Sequence, residues 1–537
     1  MNDRSTYVRS SLRDNFTLAS RRRALLLALI LLIGAGASAV KVTQPRFKTL
    51  VDYQSQKLTW QQCYDNFECS TLRVPIDYSN LKLGIFKLAL LRYKATDQKH
   101  RIGSLVVNPG GPGASGKDYA YNAESILNPD ILSNYDIVGF DPRGVGDSAP
   151  IHCLNDAETD ASYAADSKPD NPAELVALEK QGREYAAKCL AKTKFLDHYG
   201  TVNSARDMDI LRLALGDKKL NFLGKSYGTY LGTLYASLFP SNVGRMVLDG
   251  AVDPSISAVQ QSISQAVGFD KALDSFITDC FTRSDCPLEK QSSKDVSRHE
   301  LAVKQIIGIF HQAAVSPLLD KIDNSDATKK KFLTGQHARM ATESLVVLGT
   351  ASALYDNESG WPQLRTAIQE SVAGYGATFL ALGDEYSQRN TQGRYANNET
   401  DAGFVIDCLD WPENRTVSQI TKDAKVFTTK APVFGPYLAY GSLACKNFAS
   451  KSDTAKLISM SRTIDTNPVV IIGTTRDPAT PYTWAEGLHS KIHNSRLISL
   501  SADGHTGQGR GSTCVDSAVD SYYLSGKLPI ADLQCAL

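Results

Sequence analysis

One stretch, residues 221–228 (Asn-Phe-Leu-Gly-Lys-Ser-Tyr-Gly), constrains the fold of this 537-residue chain more than any other. The apolar run 220–223 is typical of a buried strand, and the pattern over 229–238 is typical of a helix. Between them, residues 224–228 fit the pattern G-x-S-x-G. Such a sharp turn from strand to helix strains the serine backbone and lifts its hydroxyl above the sheet edge. The stretch therefore predicts an α/β fold with Ser226 as a candidate nucleophile.

Further strand-like and helix-like segments alternate along the chain. Strands are predicted at 85–93, 104–107, 135–140, 245–248, 468–472 and 496–500, and helices at 173–191, 205–215, 481–492 and 514–524. This alternation predicts a mostly parallel central sheet with helices on both faces. Ligands of such sheets bind beyond the carboxyl ends of the strands, so we expect functional side chains on the loops that follow the strands.

The alternation stops between residues 255 and 430, where helix-like segments dominate. We interpret this region as an inserted helical lid, because a lid over the strand ends excludes water and selects substrates. The alternative is a separate domain with its own task. The predicted division is 1–23, a cytosolic or signal region; 24–40, a signal peptide or membrane anchor; 41–254, the first part of the core; 255–430, the lid; and 431–537, the second part of the core.

A glycine-rich loop, residues 108–113 (Asn-Pro-Gly-Gly-Pro-Gly), directly follows a predicted strand. Glycines permit unusual backbone dihedral angles, and their missing side chains leave room for a substrate oxygen beside bare N–H groups. We therefore predict an oxyanion hole formed by the N–H groups of Gly110, Gly111 and Tyr227, the last being the residue after the candidate nucleophile. The alternative is a glycine-rich turn with a purely structural role.

Two loops beyond the elbow carry the partners that a catalytic serine requires, a base and a carboxylate that fixes its tautomer. Asp477 and His505 each follow a predicted strand at the sheet edge that carries Ser226, in the order that accompanies G-x-S-x-G. Asp503 is too close to His505 in sequence to orient it easily. We predict Ser226 as nucleophile, Asp477 as orienting acid and His505 as general base and acid. The alternatives are a turn-forming Asp477 and a surface-loop His505.

The ten cysteines fall into five sequence-local pairs, which indicates disulfide bonds and an oxidising compartment. The neighbouring pairs are Cys63 and Cys69, Cys153 and Cys189, Cys280 and Cys286, Cys408 and Cys445, and Cys514 and Cys535. Connectivity does not follow from sequence alone, and ten buried free thiols are the alternative.

The amino terminus is consistent with export. Arginines at 21–23 precede the apolar segment 24–40, and this order sends the following chain across the membrane. Ala-Ser-Ala at 37–39 resembles a cleavage site, whereas the long region before it favours an uncleaved anchor, so both remain open. We expect a secreted protein, or one anchored in the membrane with its catalytic part lumenal or extracellular. Glycan acceptors would then be Asn357, Asn398 and Asn414.

The charge balance argues against a nucleic-acid partner. Lys and Arg number 58 and Asp and Glu 57, so the net charge is +1 and no long basic run occurs. Nine scattered histidines without H-E-x-x-H or C-x-x-C argue against a metal enzyme. We expect no cofactor.

With these motifs in place, the chain resembles the α/β-hydrolase fold and, more narrowly, secreted tripeptidyl aminopeptidases and prolyl aminopeptidase relatives with a TAP-like carboxyl-terminal region. The resemblance is carried by residues 108–116, 139–148, 205–209, 224–228, 477–481, 504–505 and the cysteine-bearing tail 514–535. Asn108-Pro109 stands where prolyl aminopeptidases usually have a histidine, and this departure resembles the tripeptidyl branch. The resemblance implies hydrolysis of an amide or ester through an acyl-enzyme, without cofactor, and exopeptidase action on short peptides.

An exopeptidase of this kind needs an anionic group that holds the substrate ammonium, and Asp410 is the candidate. A structural carboxylate beside a disulfide is the alternative for that residue. For the whole chain, one alternative is a carboxylesterase or lactonase that acts on a small metabolite. Another is an inactive binding or adhesion protein, against which the complete set of Ser226, Asp477 and His505 argues.

Overall fold

The structure, a computed structural model, describes residues 47–289, 296–320, 339–448 and 464–537. The predicted regions 1–23 and 24–40 lie outside these residues. Within the described ranges, no helix combines the length and the apolar character needed to span a bilayer.

Ten strands form one sheet in the order β1-β2-β3-β5-β4-β6-β7-β10-β11-β12. They are β1 Gln61–Tyr64, β2 Phe67–Pro75, β3 Ile85–Tyr93, β4 Gly103–Asn108, β5 Tyr135–Phe140, β6 Leu220–Lys225, β7 Val243–Asp249, β10 Val469–Arg476, β11 Ser495–Asp503 and β12 Leu533–Ala536. The two-residue strands β8 Leu318–Leu319 and β9 Met340–Ala341 pair separately. In the order of the sheet, the pairs β1–β2, β2–β3 and β3–β5 are antiparallel. Every later pair, from β5–β4 to β11–β12, is parallel, which confirms the predicted fold class.

The α-helices of the described ranges flank this sheet or fill the insertion. In chain order they are Leu50–Gln54, Gly116–Tyr121, Ala123–Ile126, Pro129–Asn134, Asp156–Ala164, Pro172–Lys192, Thr201–Leu215, Tyr227–Leu238, Ala258–Cys280, Arg298–Val315, Glu343–Leu354, Gly360–Val372, Ala377–Tyr386, Glu399–Asp410, Val417–Lys430, Gly435–Leu438, Tyr482–Lys491 and Thr513–Ser525. Short 3-10 turns lie at Leu196–His198, Pro240–Asn242 and Gly441–Asn447.

The central strands are apolar along their whole length because helices cover both faces of the sheet. Every residue of β4 and β5 is buried. Leu105, Ile137 and Leu223 belong to the same core cluster, which continues into Ile472 and Ile498 of the later strands. The core therefore holds the carboxyl ends of β4, β6, β10 and β11 in one row, and the predicted functional loops follow these ends.

The region between β7 and β10 is an insertion, because these two strands pair directly although residues 250–468 separate them in sequence. Its helices bury their own apolar cluster, in which Phe276, Phe310 and Phe434 are almost fully buried. Two consecutive helices of this region, Gly360–Val372 and Ala377–Tyr386, are separated at Gly374, whose φ of +83° ends the first. The boundaries 255 and 430 and the role of this region as a lid remain predictions.

All ten cysteines form disulfide bonds, in the five pairs that the sequence suggested. They are Cys63–Cys69, Cys153–Cys189, Cys280–Cys286, Cys408–Cys445 and Cys514–Cys535. Cys408–Cys445 joins the helix Glu399–Asp410 to the 3-10 turn Gly441–Asn447. Five disulfides are typical of extracellular proteins and of other oxidising compartments.

Arg143, in the polar turn after β5, is fully buried and has a structural role. Its guanidinium donates to Asp207 through Nε at 2.8 Å and Nη2 at 2.5 Å. It also donates to the carbonyls of Ile76 at 3.0 Å, His198 at 2.8 Å and Pro75 at 3.2 Å. With its donors satisfied in this way, Arg143 joins three segments beneath the sheet edge and cannot contact a ligand.

Candidate active site

Ser226 stands in a strained turn between β6 and the helix Tyr227–Leu238. Its φ of 54° and ψ of −126° lie in a region that non-glycine residues rarely adopt, and its N–H donates to the carbonyl of Asp249 at 2.8 Å. A Cβ atom at Gly224 would lie 2.4 Å from the carbonyl oxygen of Gly228, and one at Gly228 would lie 2.8 Å from that of Asn108. Only glycines fit on both sides of Ser226, so the sequence motif has a steric cause.

Asp477 and His505 form a hydrogen-bonded pair on the loops after β10 and β11. Nδ1 of His505 lies 2.9 Å from both carboxylate oxygens of Asp477. The buried carboxylate also accepts the N–H groups of Ala479 at 2.9 Å, Thr480 at 2.8 Å and Thr506 at 3.1 Å, and the Thr480 hydroxyl at 3.0 Å. These contacts fix the orientation of the carboxylate. This pairing places the proton of the neutral imidazole on Nδ1, which leaves Nε2 as the basic nitrogen.

The imidazole of His505 is also held from the insertion and from the end of β7. Its backbone N–H donates to the carbonyl of Tyr355 at 2.8 Å. The Tyr355 ring meets the imidazole edge-on, with centroids 5.3 Å apart and planes at 85°. The backbone of Gly250 also lies close to the ring, since a Cβ atom added at this glycine would be 3.3 Å from Cε1 of His505. The ring orientation is therefore restricted by packing as well as by Asp477.

The glycine loop lies against the elbow, but its two predicted donors differ. The N–H of Gly110 donates to Oδ1 of Asn108 at 3.1 Å, so it is not available to a substrate and this part of the prediction needs correction. Gly110 instead permits close approach, because a Cβ atom there would lie 2.6 Å from the carbonyl oxygen of Lys225. Gly111 lines the cavity in front of the elbow. The N–H of Tyr227 is at a helix start, where N–H groups lack intrahelical partners.

A cavity of about 630 Å³ opens in front of the elbow, and Ser226 and His505 both line it. The loop residues Pro109, Gly111 and Pro112 form part of its floor. Its walls are rich in tyrosine: Tyr163, Tyr185, Tyr355, Tyr386, Tyr437 and Tyr440. The structure thus brings the candidate nucleophile, the candidate base and one candidate oxyanion donor to a single cavity.

Asp410 does not line this cavity, so the structure does not support it as the substrate anchor. It is buried and accepts the backbone N–H of Thr201 at 2.9 Å. The hydroxyl of Thr201 donates to the same carboxylate and also contacts the hydroxyl of Tyr227. Asp410 therefore belongs to an internal polar network that joins its helix to the elbow helix.

Three other carboxyl groups line the cavity, Asp166, Glu399 and Asp407, and the last two belong to the helix Glu399–Asp410. Asp407 is exposed at the wall, and its carboxyl group forms no hydrogen bond or ion pair with any residue that the structure describes. Although accessible to water, it is surrounded by protein, and this desolvation together with Asp410 raises its pKa well above the usual range. Desolvation raises the pKa of Glu399 to about 7, with a smaller contribution from Asp118 and against a hydrogen bond from Asn397.

The sequence interpretation missed Asp407 and Glu399 because no helix was predicted at 399–410. The available signal was the pair of acids at Asp407 and Asp410, three residues apart. Three residues do not quite complete a helical turn, so the two side chains leave the helix in different directions, and here Asp407 lines the cavity while Asp410 is buried. Glu399, the first residue of this helix, carried no local signal.

The three candidate glycan acceptors differ in availability. Nδ2 of Asn398 donates to the carbonyls of Gly144 and Ile151, each at 2.8 Å, and its Oδ1 accepts the N–H of Gly146 at 2.9 Å. A glycan on Nδ2 would break these contacts, so Asn398 is not a suitable acceptor in the folded chain. Asn414 is exposed. Asn357 accepts a hydrogen bond from Arg510 at 2.7 Å, and glycosylation there and at Asn414 remains a prediction.

Comparison with known proteins gives a family and relatives that span most of the chain. The family profile described as alpha/beta hydrolase fold matches residues 103–511. The serine protease Hip1 of Mycobacterium tuberculosis is 35% identical over 477 residues, which cover 87% of this chain and 87% of that protein. Carboxylesterase B of the same organism is 37% identical over 483 residues, covering 87% and 86%. Tripeptidyl aminopeptidase of Streptomyces lividans is 30% identical over 500 residues, covering 89% and 86%.

Proposed function

Since this chain belongs to the α/β-hydrolase family, and is therefore a serine hydrolase, we propose that it is an exopeptidase that cleaves short peptides near their free amino terminus. One relative is a serine protease and another a tripeptidyl aminopeptidase, and both names fit the cleavage of peptide bonds. The proposal specifies three side chains for the chemistry, Ser226, Asp477 and His505, and two for recognition, Asp407 and Glu399.

The observation that supports peptide cleavage most is the acidic wall of the cavity. Asp407 has no cationic partner among the described residues, although protein surrounds it on the wall. Since its pKa is raised, the free carboxyl group loses its charge easily, and a ligand of opposite charge would stabilise the ionised form. A peptide with a free amino terminus carries that charge, whereas a neutral ester does not. The carboxyl groups therefore favour a substrate ammonium.

The proposed mechanism follows from the arrangement of the side chains. Nε2 of His505 accepts the proton of Ser226 as the oxygen attacks the scissile carbonyl, and Asp477 stabilises the resulting imidazolium. The N–H groups of Gly111 and Tyr227 stabilise the oxyanion, each such donor being worth about 3 kcal/mol of barrier lowering. His505 then protonates the leaving amine. Water, activated by the same imidazole, releases the acyl group from Ser226.

A second candidate function, a carboxylesterase or lactonase, is favoured by a different observation. Carboxylesterase B is 37% identical to this chain. The same catalytic side chains cleave esters, which are easier substrates than amides, so only substrate selection distinguishes the two functions. The cavity carboxyl groups are the feature of this chain that bears on that selection.

The proposal is tested with a tripeptidyl amide, its N-acetylated counterpart and a simple ester. We expect kcat/KM to be about 10- to 100-fold higher for the free amino terminus, because a hydrogen bond to a charged group is worth about 1.5–3 kcal/mol. In Asp407→Asn, the ratio between the free and acetylated substrates should fall towards one. Turnover of esters with no cleavage of either amide would reject the exopeptidase and support the second candidate.

The pH dependence provides a further prediction through Glu399. Its pKa of about 7 means that the carboxyl gains its charge as the pH rises through 7. A peptide ammonium loses its charge above about pH 8. We therefore expect the kcat/KM ratio of free over acetylated substrate to rise from pH 6 to pH 7.5 and to fall above pH 8. Any effect of pH on the chemical step itself is common to both substrates and cancels in this ratio.

The control for this prediction is Glu399→Gln, which keeps the shape of the side chain and removes its titration. In that variant the rise of the ratio between pH 6 and pH 7.5 should be smaller than in the wild type, because Asp407, whose pKa is also raised, is then the only one of the two recognition carboxyl groups that still titrates. A wild-type ratio that is constant over this range would exclude Glu399 from binding the ammonium.

We further propose that the chain works outside the cytosol after export directed by the amino-terminal segment. The five disulfides support this location. Segment 24–40 either anchors the protein in the membrane or is removed after Ala-Ser-Ala. Amino-terminal sequencing of protein recovered from the medium and from membranes would distinguish the two, and a reduced protein confined to the cytosol would reject export.

A further inference from the structure

Asp249, the last residue of β7, lies fully buried between the nucleophile and base loops. It pairs in register with Lys225, the last residue of β6. Its carbonyl oxygen accepts the N–H of Ser226 at 2.8 Å. The backbone of Asp249 therefore holds the elbow directly.

The side chain of Asp249 binds the loop that carries the candidate base. Oδ1 accepts the N–H of Gly507 at 2.8 Å, and Oδ2 accepts the N–H of Gln508 at 2.9 Å. These two residues follow His505 by two and three positions. A single residue thus contacts the elbow through its backbone and the base loop through its carboxylate.

Lys225 completes this arrangement from the position just before Ser226. Its Nζ donates to the carbonyl of Gln508 at 2.7 Å and lies 3.4 Å from Oδ2 of Asp249. Burial acts to lower the pKa of Lys225, but Tyr119 and Asp249 outweigh it and the net direction is upward. The ammonium therefore stays charged and compensates the buried carboxylate.

The sheet order explains why such a contact is needed. Ser226 directly follows β6 and His505 lies in the loop after β11, and two strands, β7 and β10, separate β6 from β11. No ladder of backbone hydrogen bonds joins β6 to β11, so their relative position depends on contacts made across the intervening strand ends. Asp249 stands at the end of β7, between the two loops, and reaches both.

We propose that Asp249 and Lys225 are positioning residues that set the distance between Nε2 of His505 and Oγ of Ser226. The carboxylate holds residues 507 and 508, and the ammonium holds the carbonyl of Gln508, so the base loop cannot shift relative to the elbow. A misplacement of about 1 Å between reacting groups costs about 10²-fold in rate. The proposal rests on the roles of Ser226 and His505 but not on the identity of the acyl group.

The test is Asp249→Asn, in which an amide NH₂ must face either a backbone N–H or the ammonium of Lys225. We expect kcat and the rate of fluorophosphonate labelling of Ser226 to fall by about 10²-fold, with KM within about threefold of the wild-type value. Lys225→Met should lower kcat by a similar factor, and Lys225→Arg should recover most of the loss, because it keeps both the charge and a donor. Labelling of the wild-type protein at Ser226 tests the hydrolase assignment separately.

Asp136→Asn is the matched control, because Asp136 is also a buried carboxylate at a strand end. It lies at the amino end of β5, whereas the candidate site lies at the carboxyl ends of the strands. Its carboxylate accepts the N–H of Ala95 at 3.0 Å and pairs with Arg101 at 2.8 Å. We expect a comparable loss of Tm there with kcat retained. An equal loss of kcat in both variants would show a merely structural role and overturn the proposal, as would full activity of Asp249→Asn. If Asp249→Asn does not fold, the double variant Lys225→Met with Asp249→Asn, which removes both charges, replaces it. Its loss of kcat is then compared with that of Asp136→Asn in the same way.

Discussion

Replacing Ser226 by alanine is expected to lower kcat by about 10⁶-fold, the magnitude typical of the loss of a catalytic serine. Without the hydroxyl no acyl-enzyme forms, and the N–H groups of Gly111 and Tyr227 retain only a small residual rate. Steady-state hydrolysis of a peptide amide, together with active-site titration, measures the effect. Fluorophosphonate labelling should be lost at the same time.

The folded state of Ser226→Ala should be close to that of the wild type, because alanine meets the same backbone strain at φ 54° as serine does. Tm is the control measurement. Labelling that persists in this variant would locate the nucleophile at another residue and would contradict the proposed mechanism as a whole.

Asp477→Asn is expected to lower kcat by about 10⁴-fold at neutral pH. Asparagine has only one carbonyl oxygen, yet the carboxylate of Asp477 accepts from three N–H groups, one hydroxyl and the imidazole. The new NH₂ group would therefore face a donor, and the imidazole would lose the partner that fixes its tautomer. The loss should appear in kcat for amides and esters alike.

Asp503→Asn is a matched control for this second prediction. Asp503 lies two residues before His505, but its carboxylate pairs with Arg476 at 2.7 Å and 3.0 Å rather than with the imidazole. We expect its kcat to stay within about tenfold of the wild-type value, since partly exposed ion pairs contribute little. A larger loss in Asp503→Asn than in Asp477→Asn would reverse the assignment of the orienting acid.

The features that sequence predicted correctly are those with a local cause. Glycines at 224 and 228 are required by sterics at the elbow, and a run of apolar residues is required wherever both faces of a strand are buried. The order of serine, acid and histidine along alternating strands and helices then placed Ser226, Asp477 and His505 at one edge. The alternation of strand and helix patterns predicts a parallel sheet, and the loops after its strands lie at one edge.

The features that sequence could not give depend on tertiary contacts. Gly110 was expected to donate to a substrate, but a side chain two residues earlier takes its N–H group. Asp410 was expected to hold the substrate ammonium, but nothing in the local pattern shows which side of a helix meets a cavity. The strands β1, β2 and β12 also escaped prediction, and two of them, β1 and β12, lie at the sheet edges, where a strand need not be apolar on both faces.

The hydrogen bond from His505 to the carbonyl of Tyr355 bears on how this scaffold can be altered. Tyr355 belongs to the inserted region, so the part of the chain that shapes the cavity also supports the imidazole of the candidate base. Chimeras that exchange the insertion between relatives, in order to transfer a preference for one substrate, must keep the segment around Tyr355 from the parent scaffold. A chimera in which the segment around Tyr355 is exchanged as well would change substrate specificity and turnover together.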